Sequence, residues 1–273
     1  MTDLGPVGPR RGTEDRGRIG RETYDEYARL YDSIFDAITE DIDFWAKLAP
    51  QRRVCEVGCG TGRILRRLTG ARSLIGIDPS RLMLERAASR VQTSTELRLG
   101  ALEDLPAQDN DFDLVICPRG AYSHQLTDDQ LARGSAELGR VTRRNGLVVI
   151  DVPNFAPSDP ALSGETELAH VADLAHEDRR IAVYQESDFD PTSRIVTLRQ
   201  YFLDPAPVEG PQVTEIELRT KVLTLDEIMH FLAAAELATV DVMGDYTGDR
   251  YRSSSPRIIV HARNTKSGEI LAR

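Results

Sequence analysis

The sequence predicts an α/β protein: a doubly wound, seven-stranded sheet preceded by N-terminal helix and interrupted by an antiparallel β insertion. Three observations carry this. Short β-branched runs alternate with helical patterns between residues 53 and 152. A glycine-rich turn, Gly58-Cys59-Gly60-Thr61-Gly62, directly follows the first of these runs. After Pro153 the helical signal stops, and longer alternating runs take its place before a helix and two more strands return.

Taken in order, residues 23–48 read as helix, because Tyr24, Tyr27, Leu30, Tyr31, Ile34, Phe35 and Ile38 recur every three or four positions. Strands are expected over 53–57, 73–78, 96–100, 112–117 and 147–152, with helices over 61–68, 80–90 and 128–143. Repeated βα units of this length imply parallel strands, and Asn145-Gly146 punctuates the entry to the fifth. A loop rich in Pro, Asp and Ser then leads to alternating runs at 181–186, 194–203 and 213–223. Thr224 is placed to cap a helix over 225–235, and strands near 239–243 and 257–262 would close the sheet as a hairpin. The expected organisation is a disordered tail (1–20), N-terminal helices (21–50), a ligand-binding core (51–152), the insertion (153–224), a helix and hairpin completing the core (225–263), and a second tail (264–273).

Composition narrows the function. The 273 residues carry 44 Asp and Glu against 34 Lys and Arg, a net charge of −10. That balance argues against a nucleic-acid partner, whose binding depends on clustered basic residues. No apolar run approaches the ~20 residues a membrane span needs, and the Gly-, Pro- and Arg-rich start lacks the apolar stretch of a signal peptide. Three cysteines, Cys55, Cys59 and Cys117, make no disulfide framework or zinc spacing. A cytoplasmic protein acting on a small molecule, without metal, is expected; oligomerisation is left open.

The chemistry concentrates at Val54–Arg63. A strand that ends at a glycine turn exposes backbone N–H groups to a ligand. A dinucleotide fingerprint needs glycine at the sixth position of the turn for close helix packing, where this chain has Arg63. Glu56, inside the strand, would repel a pyrophosphate and suits a cationic ligand.

These residues resemble motif I of the class I S-adenosylmethionine (SAM)-dependent methyltransferases, and the likeness runs from about residue 24 to 263. It implies a Rossmann-like core, SAM as cofactor, and an N-terminal lid. By this resemblance Glu56, Gly58, Cys59, Gly60 and Gly62 belong to the cofactor turn, and Asp78 binds the ribose hydroxyls. As a cleft-facing carboxylate, Asp78 is expected to matter little to folding. Pro79, Met83 and the segment Ala101-Leu102-Glu103 resemble adenine-pocket positions, and Cys117 begins a segment that touches the methionine part. Tyr24 and Tyr31 resemble the lid tyrosine. Arg119, Tyr122, Tyr201 and Tyr246 are candidates for the acceptor side. Arg119 would recognise an acceptor carboxylate or phosphate, or pair with an acidic lid residue. For His124 two roles stand open: a general base, or a histidine satisfied by a backbone partner. The C-terminal segment is similar to that of bacterial small-molecule methyltransferases, including sugar N-methyltransferases and glycine N-methyltransferase-like enzymes. Methyl transfer to O or N of a small-molecule acceptor, of natural-product or amino-sugar-like kind, is the leading reading. An NAD(P)-dependent oxidoreductase, and a SAM-binding non-methylating partner or cyclase, are the alternatives.

Overall fold

The computed structural model describes residues 21–156, 158–164, 166–176, 179–205 and 212–266. The expected N-terminal tail, and all but 264–266 of the C-terminal one, lie outside the described residues. Two helices, α1 (Arg21–Phe35) and α2 (Ile42–Leu48), lead into β1 (Arg53–Val57) and β2 (Ser73–Asp78). Next come α3 (Arg81–Ala88), β3 (Glu96–Leu99), β4 (Phe112–Cys117), α4 (Asp128–Val141) and β5 (Thr142–Pro153). The insertion supplies β6 (Ala169–His176), β7 (Arg179–Asp190), β8 (Ile195–Asp204) and β9 (Gln212–Lys221). The chain then closes with α5 (Leu225–Ala234), β10 (Leu237–Met243) and β11 (Arg257–Asn264).

The main sheet has the order β10-β11-β5-β4-β1-β2-β3. Its five central and edge strands β5-β4-β1-β2-β3 are parallel, and β11 runs antiparallel to both β5 and β10. Both faces are covered, and all six residues of β4 are buried, its apolar run interrupted only by Asp113, which accepts from the Arg53 backbone and pairs with Arg72 and Arg143. One face buries Cys55, Val115 and Ile150 against Leu138 of α4 and Ile228 of α5. The opposite face buries Val54, Leu114 and Val149 against Phe44 and Trp45 of α2. The alternation is the two-residue period of a strand, and each such aliphatic side chain contributes roughly 1.5–3 kcal/mol by leaving water. Capping boxes start α4 (Thr127 with Gln130) and α5 (Thr224 with Glu227), satisfying backbone donors that the first turn leaves open.

The second sheet, β6-β7-β8-β9, is wholly antiparallel. Ile181, Val183, Phe202 and Ile216 bury one face against Tyr27 and Leu30 of α1. Alternate residues put charge on the other face, where Glu186, Arg199 and Glu217 lie in adjacent register.

Four local expectations need correction. Residues 61–68 are not an α-helix: Gly60 and Gly62 hold left-handed backbone (φ 52° and 75°), and only a 3₁₀ turn at Leu65–Arg67 follows. The stretch 23–48 is two helices, not one, because residues 36–41 unwind and place Asp36 and Asp41 on arginines of the core. The segment read as a Pro-, Asp- and Ser-rich loop contains the edge strand β6. The fifth strand begins at Thr142 rather than 147, passing through Asn145 at φ 59°.

Candidate active site

The glycine turn after β1 forms the floor of a cavity of about 380 Å³. Gly58, at φ 71°, donates its N–H to the Ile77 carbonyl at 2.8 Å. A Cβ there would meet the Ala121 methyl at 2.7 Å, so the position demands glycine for space as well as conformation. Gly60 donates to Asp78 Oδ2 at 2.8 Å, while Ser80 N–H donates to Asp78 Oδ1 at 2.9 Å. Asp78, at the end of β2, is thus both a cavity wall and the strut of the turn. The expectation that it would be dispensable to the fold meets this fact: its loss removes partners from two buried N–H groups.

Glu56 puts a buried carboxyl group in the wall. It is 2% exposed, and its Oε2 has no hydrogen-bond partner among the described residues. Burial, with Asp41 and Asp78 nearby, pushes its carboxyl well above the usual range, although Arg63 pulls the other way. A buried, half-satisfied carboxylate facing a cavity suits a cationic group.

Arg63, which occupies the position a dinucleotide turn keeps for glycine, forks onto Asp41 at 2.9 and 2.5 Å and also donates to the Ile38 carbonyl. Burial works against its charge, but the hydrogen bonds and charge of Asp41 hold its pKa above the ordinary value. Its side chain therefore ties the α1–α2 connection to the cavity. Sequence reasoning noted only its size; that size is what lets it reach Asp41.

Of the residues singled out in sequence, Tyr31, Glu56, Gly58, Cys59 and Gly60 line this cavity on the side of β1. Asp78, Pro79, Met83, Ala101, Leu102 and Glu103 line it on the side of β2 and β3, and Arg119 and His124 at the end of β4. Tyr31 reaches in from α1, its ring 3.8 Å from the position a Cβ of Gly60 would take, with its hydroxyl pKa raised by burial to about 12. Glu103 accepts from the Gln130 amide at 3.1 Å.

The remaining candidates lie elsewhere. Gly62 sits behind the turn, where a Cβ would strike Val91 at 2.5 Å. Cys117 is buried in the core, its thiol pKa raised by burial. Tyr122 is fully buried and hydrogen-bonded to Ser135 at 2.7 Å. Tyr201 donates to Glu186 on the insertion sheet at 2.8 Å. Tyr246 packs on Phe44 and donates to Asp151 at 2.7 Å. Tyr24 falls on α1, but its side chain lies outside the described residues.

His124 and Arg119 occupy the 3₁₀ turn that follows β4 and the residues just before it. His124 Nδ1 lies 2.8 Å from the Arg219 carbonyl, which only accepts, so Nδ1 carries the proton and Nε2 the lone pair. Burial lowers its pKa below the ordinary 6.5, although the bond to Arg219 opposes this. Arg119, at φ 49°, directs its guanidinium to Glu40 at 3.2 Å, and its backbone N–H donates to Asp151 at 2.8 Å. Sequence reasoning missed Gln125, Gln130 and the β9 residues Glu217, Leu218 and Arg219, which also line the cavity. Nothing in the local sequence of β9 signals this, since only the docking of the second sheet brings it there. Among the described residues no cluster of three or more His, Cys, Asp or Glu side chains is arranged to hold a metal ion.

Residues 54–146 match a methyltransferase-domain family. Uncharacterized methyltransferase YcgJ of Bacillus subtilis is 30% identical over 131 residues, which are 45% of this chain and 50% of that protein. The chain thus spans about half the length of this curated relative. Among solved structures, a SAM-dependent methyltransferase from Clostridium acetobutylicum superposes with a TM-score of 0.73 at 17% identity, over 89% of this chain and 99% of that one. The sugar N-methyltransferase KedS8 from Streptoalloteichus superposes with 0.69 at 19% identity, over 96% and 100%. At such identities the likeness is one of fold, and it extends across the insertion as well as the core. Residues 54–146 thus match a methyltransferase-domain family, and the described chain around them shares the Rossmann-like fold of these SAM-dependent methyltransferase structures.

Proposed function

We propose that the protein is a SAM-dependent methyltransferase that transfers a methyl group to O or N of a small-molecule acceptor. The observation that carries this reading is Glu56: a buried carboxylate with an unpartnered oxygen, on the wall of a cavity floored by the Gly58–Gly60 turn. Those residues fit SAM. Glu56 would hold its ammonium group, Asp78 its ribose, and Pro79, Met83 and Leu102 its adenine. SAM, when bound, supplies an electrophilic methyl on a sulfonium with a neutral leaving group. The protein's share is then alignment and exclusion of water, and alignment alone is worth about 7–11 kcal/mol of a barrier. Tyr31 of α1 lines the cavity, and Arg63, also at its wall, ties the α1–α2 connection down through Asp41. His124, neutral because burial lowers its pKa and with its lone pair at Nε2, is suited to take the proton an acceptor hydroxyl or ammonium gives up.

Titration calorimetry with SAM, S-adenosylhomocysteine and NAD tests the cofactor: SAM and S-adenosylhomocysteine should bind and NAD should not, and the reverse pattern rejects the reading. Release of S-adenosylhomocysteine across amino sugars, phenols, hydroxy acids and amino acids then tests transfer. Binding without release from any class would favour a SAM-binding protein that does not methylate.

A further inference from the structure

Three arginines line the cavity, and their charges are met differently. Arg63 is forked onto Asp41, and Arg119 faces Glu40. Arg219, on β9, makes no side-chain hydrogen bond or ion pair among the described residues. Its charged neighbours on the strand are already engaged: Glu217 with Arg199 at 3.2 Å, and Lys221 with Asp128 at 3.4 Å. The carboxylate of Glu103, also at the cavity, is held by Gln130. Arg219 is half-buried, and of the three arginines at the cavity it alone has no carboxylate partner among the described residues. Its place is fixed as well, because His124 Nδ1 bonds the Arg219 carbonyl and pins this point of β9 beside the candidate base.

We propose that Arg219 binds an anionic group of the acceptor, so that the substrate is a small molecule bearing a carboxylate or phosphate near its methylated O or N. This rests on the methyltransferase reading above and deepens it. A guanidinium presents a planar fork of donors that matches both groups. The overall negative charge does not defeat this, since free charges more than about 8 Å away are largely screened at physiological salt, whereas a group at Arg219 is in contact. Arg119 is not the anchor, because Glu40 already meets its charge. His124, bonded to the backbone of the anchoring residue, would then lie beside the acceptor whenever its anion is bound.

The test uses the full chain saturated with S-adenosylhomocysteine, whose binding is measured first. Matched pairs are then titrated: 4-hydroxybenzoate against 4-hydroxybenzamide, and glucosamine 6-phosphate against glucosamine. The same pairs are assayed for methyl transfer with SAM. The wild type should prefer the charged member of at least one pair by about tenfold or more. Arg219→Gln should abolish that preference, chiefly by raising the acceptor's KM, and Arg219→Lys should restore part of it, both with unchanged S-adenosylhomocysteine affinity. The two pairs separate carboxylate from phosphate. Preference for neutral members, recognition of no charged member, or an undiminished preference in Arg219→Gln would overturn the proposal. Failure of S-adenosylhomocysteine to bind the wild type would instead overturn the methyltransferase reading beneath it.

Discussion

The two sheets of this protein are built to opposite specifications. The central parallel strands β1, β2 and β4 are almost wholly buried, and toward their C-terminal ends the buried acids Glu56 and Asp78 face the cavity, with Asp151 near the end of β5. The insertion sheet has one apolar face, cemented to α1 through Tyr27 and Phe202, and one charged face. Polar contacts join core and insertion: His124 with Arg219, Lys221 with Asp128 and Arg194 with Glu227. The difference teaches where variation is tolerated. Cavity residues at the strand ends of a close-packed sheet are held in place by the core around them, while those on a half-exposed sheet can change side chains at little cost to the fold.

The sharpest probe of that division is His124, which sits on the boundary. His124→Ala should lower turnover by about 10²–10⁴-fold with cofactor affinity unchanged. A base must be neutral to act, so wild-type activity should fall as pH drops through the lowered His124 pKa, on the acid side of 6.5. The variant should lack that limb. Full turnover at all pH values would leave His124 as a strap between the sheets and nothing more.

Asp78 tests the core side. Asp78→Ala should weaken SAM binding by about 2–4 kcal/mol. Chemical denaturation should also show lost stability, of order 1–3 kcal/mol, because the N–H groups of Gly60 and Ser80 lose their acceptor. Normal stability with weak binding would mean that the turn holds its shape without the strut.

Glu56→Gln should separate function from folding. A carboxyl whose folded pKa is raised gives its full stability below the unfolded value of about 4.5 and loses it as pH rises toward the folded one. At neutral pH the amide should therefore raise the melting temperature while weakening SAM by about 1.5–3 kcal/mol. A lower melting temperature together with intact binding would contradict both halves.

The smallest effect concerns the underside of α1. Asp32 pairs with Arg86 and Arg90 and accepts from the Thr61 hydroxyl. Asp32→Asn should cost only about 1 kcal/mol, and less in high salt, as partly exposed ion pairs do. A larger, salt-independent loss in thermal unfolding would show that this seam is closer to the core in character than to the insertion.

Much of the core was legible because buried parallel strands and glycine turns leave local marks. The runs around Val54, Ile75 and Val115 announce strands, and Gly58, Gly60 and Asp78 announce the turn and its distant partner. The helix expected over 61–68 fails for a reason the same motif contains, since Gly60 and Gly62 take left-handed backbone that no helix admits. The strand β6 has too mixed a pattern, Ala-His-Val-Ala-Asp-Leu-Ala-His, to separate from a loop. The β9 side of the cavity was illegible for a different reason. Glu217 and Arg219 read as ordinary residues of an alternating strand, and only the packing of Ile216 and Phe202 on α1 carries them to the cavity.

Asp151 ties the Arg119 turn to the end of the chain. Its buried carboxylate accepts from the Arg119 backbone, from Tyr246 and from the Arg257 guanidinium. Arg257 belongs to β11, which slots between β5 and β10 rather than at an edge. Without β11, one flank of β5 would be bare and Asp151 would lack its cation. A buried carboxylate without its counter-ion costs several kcal/mol. The turn that carries Arg119 is thus backed by a carboxylate whose counter-ion comes from the last described strand of the chain, more than a hundred residues away.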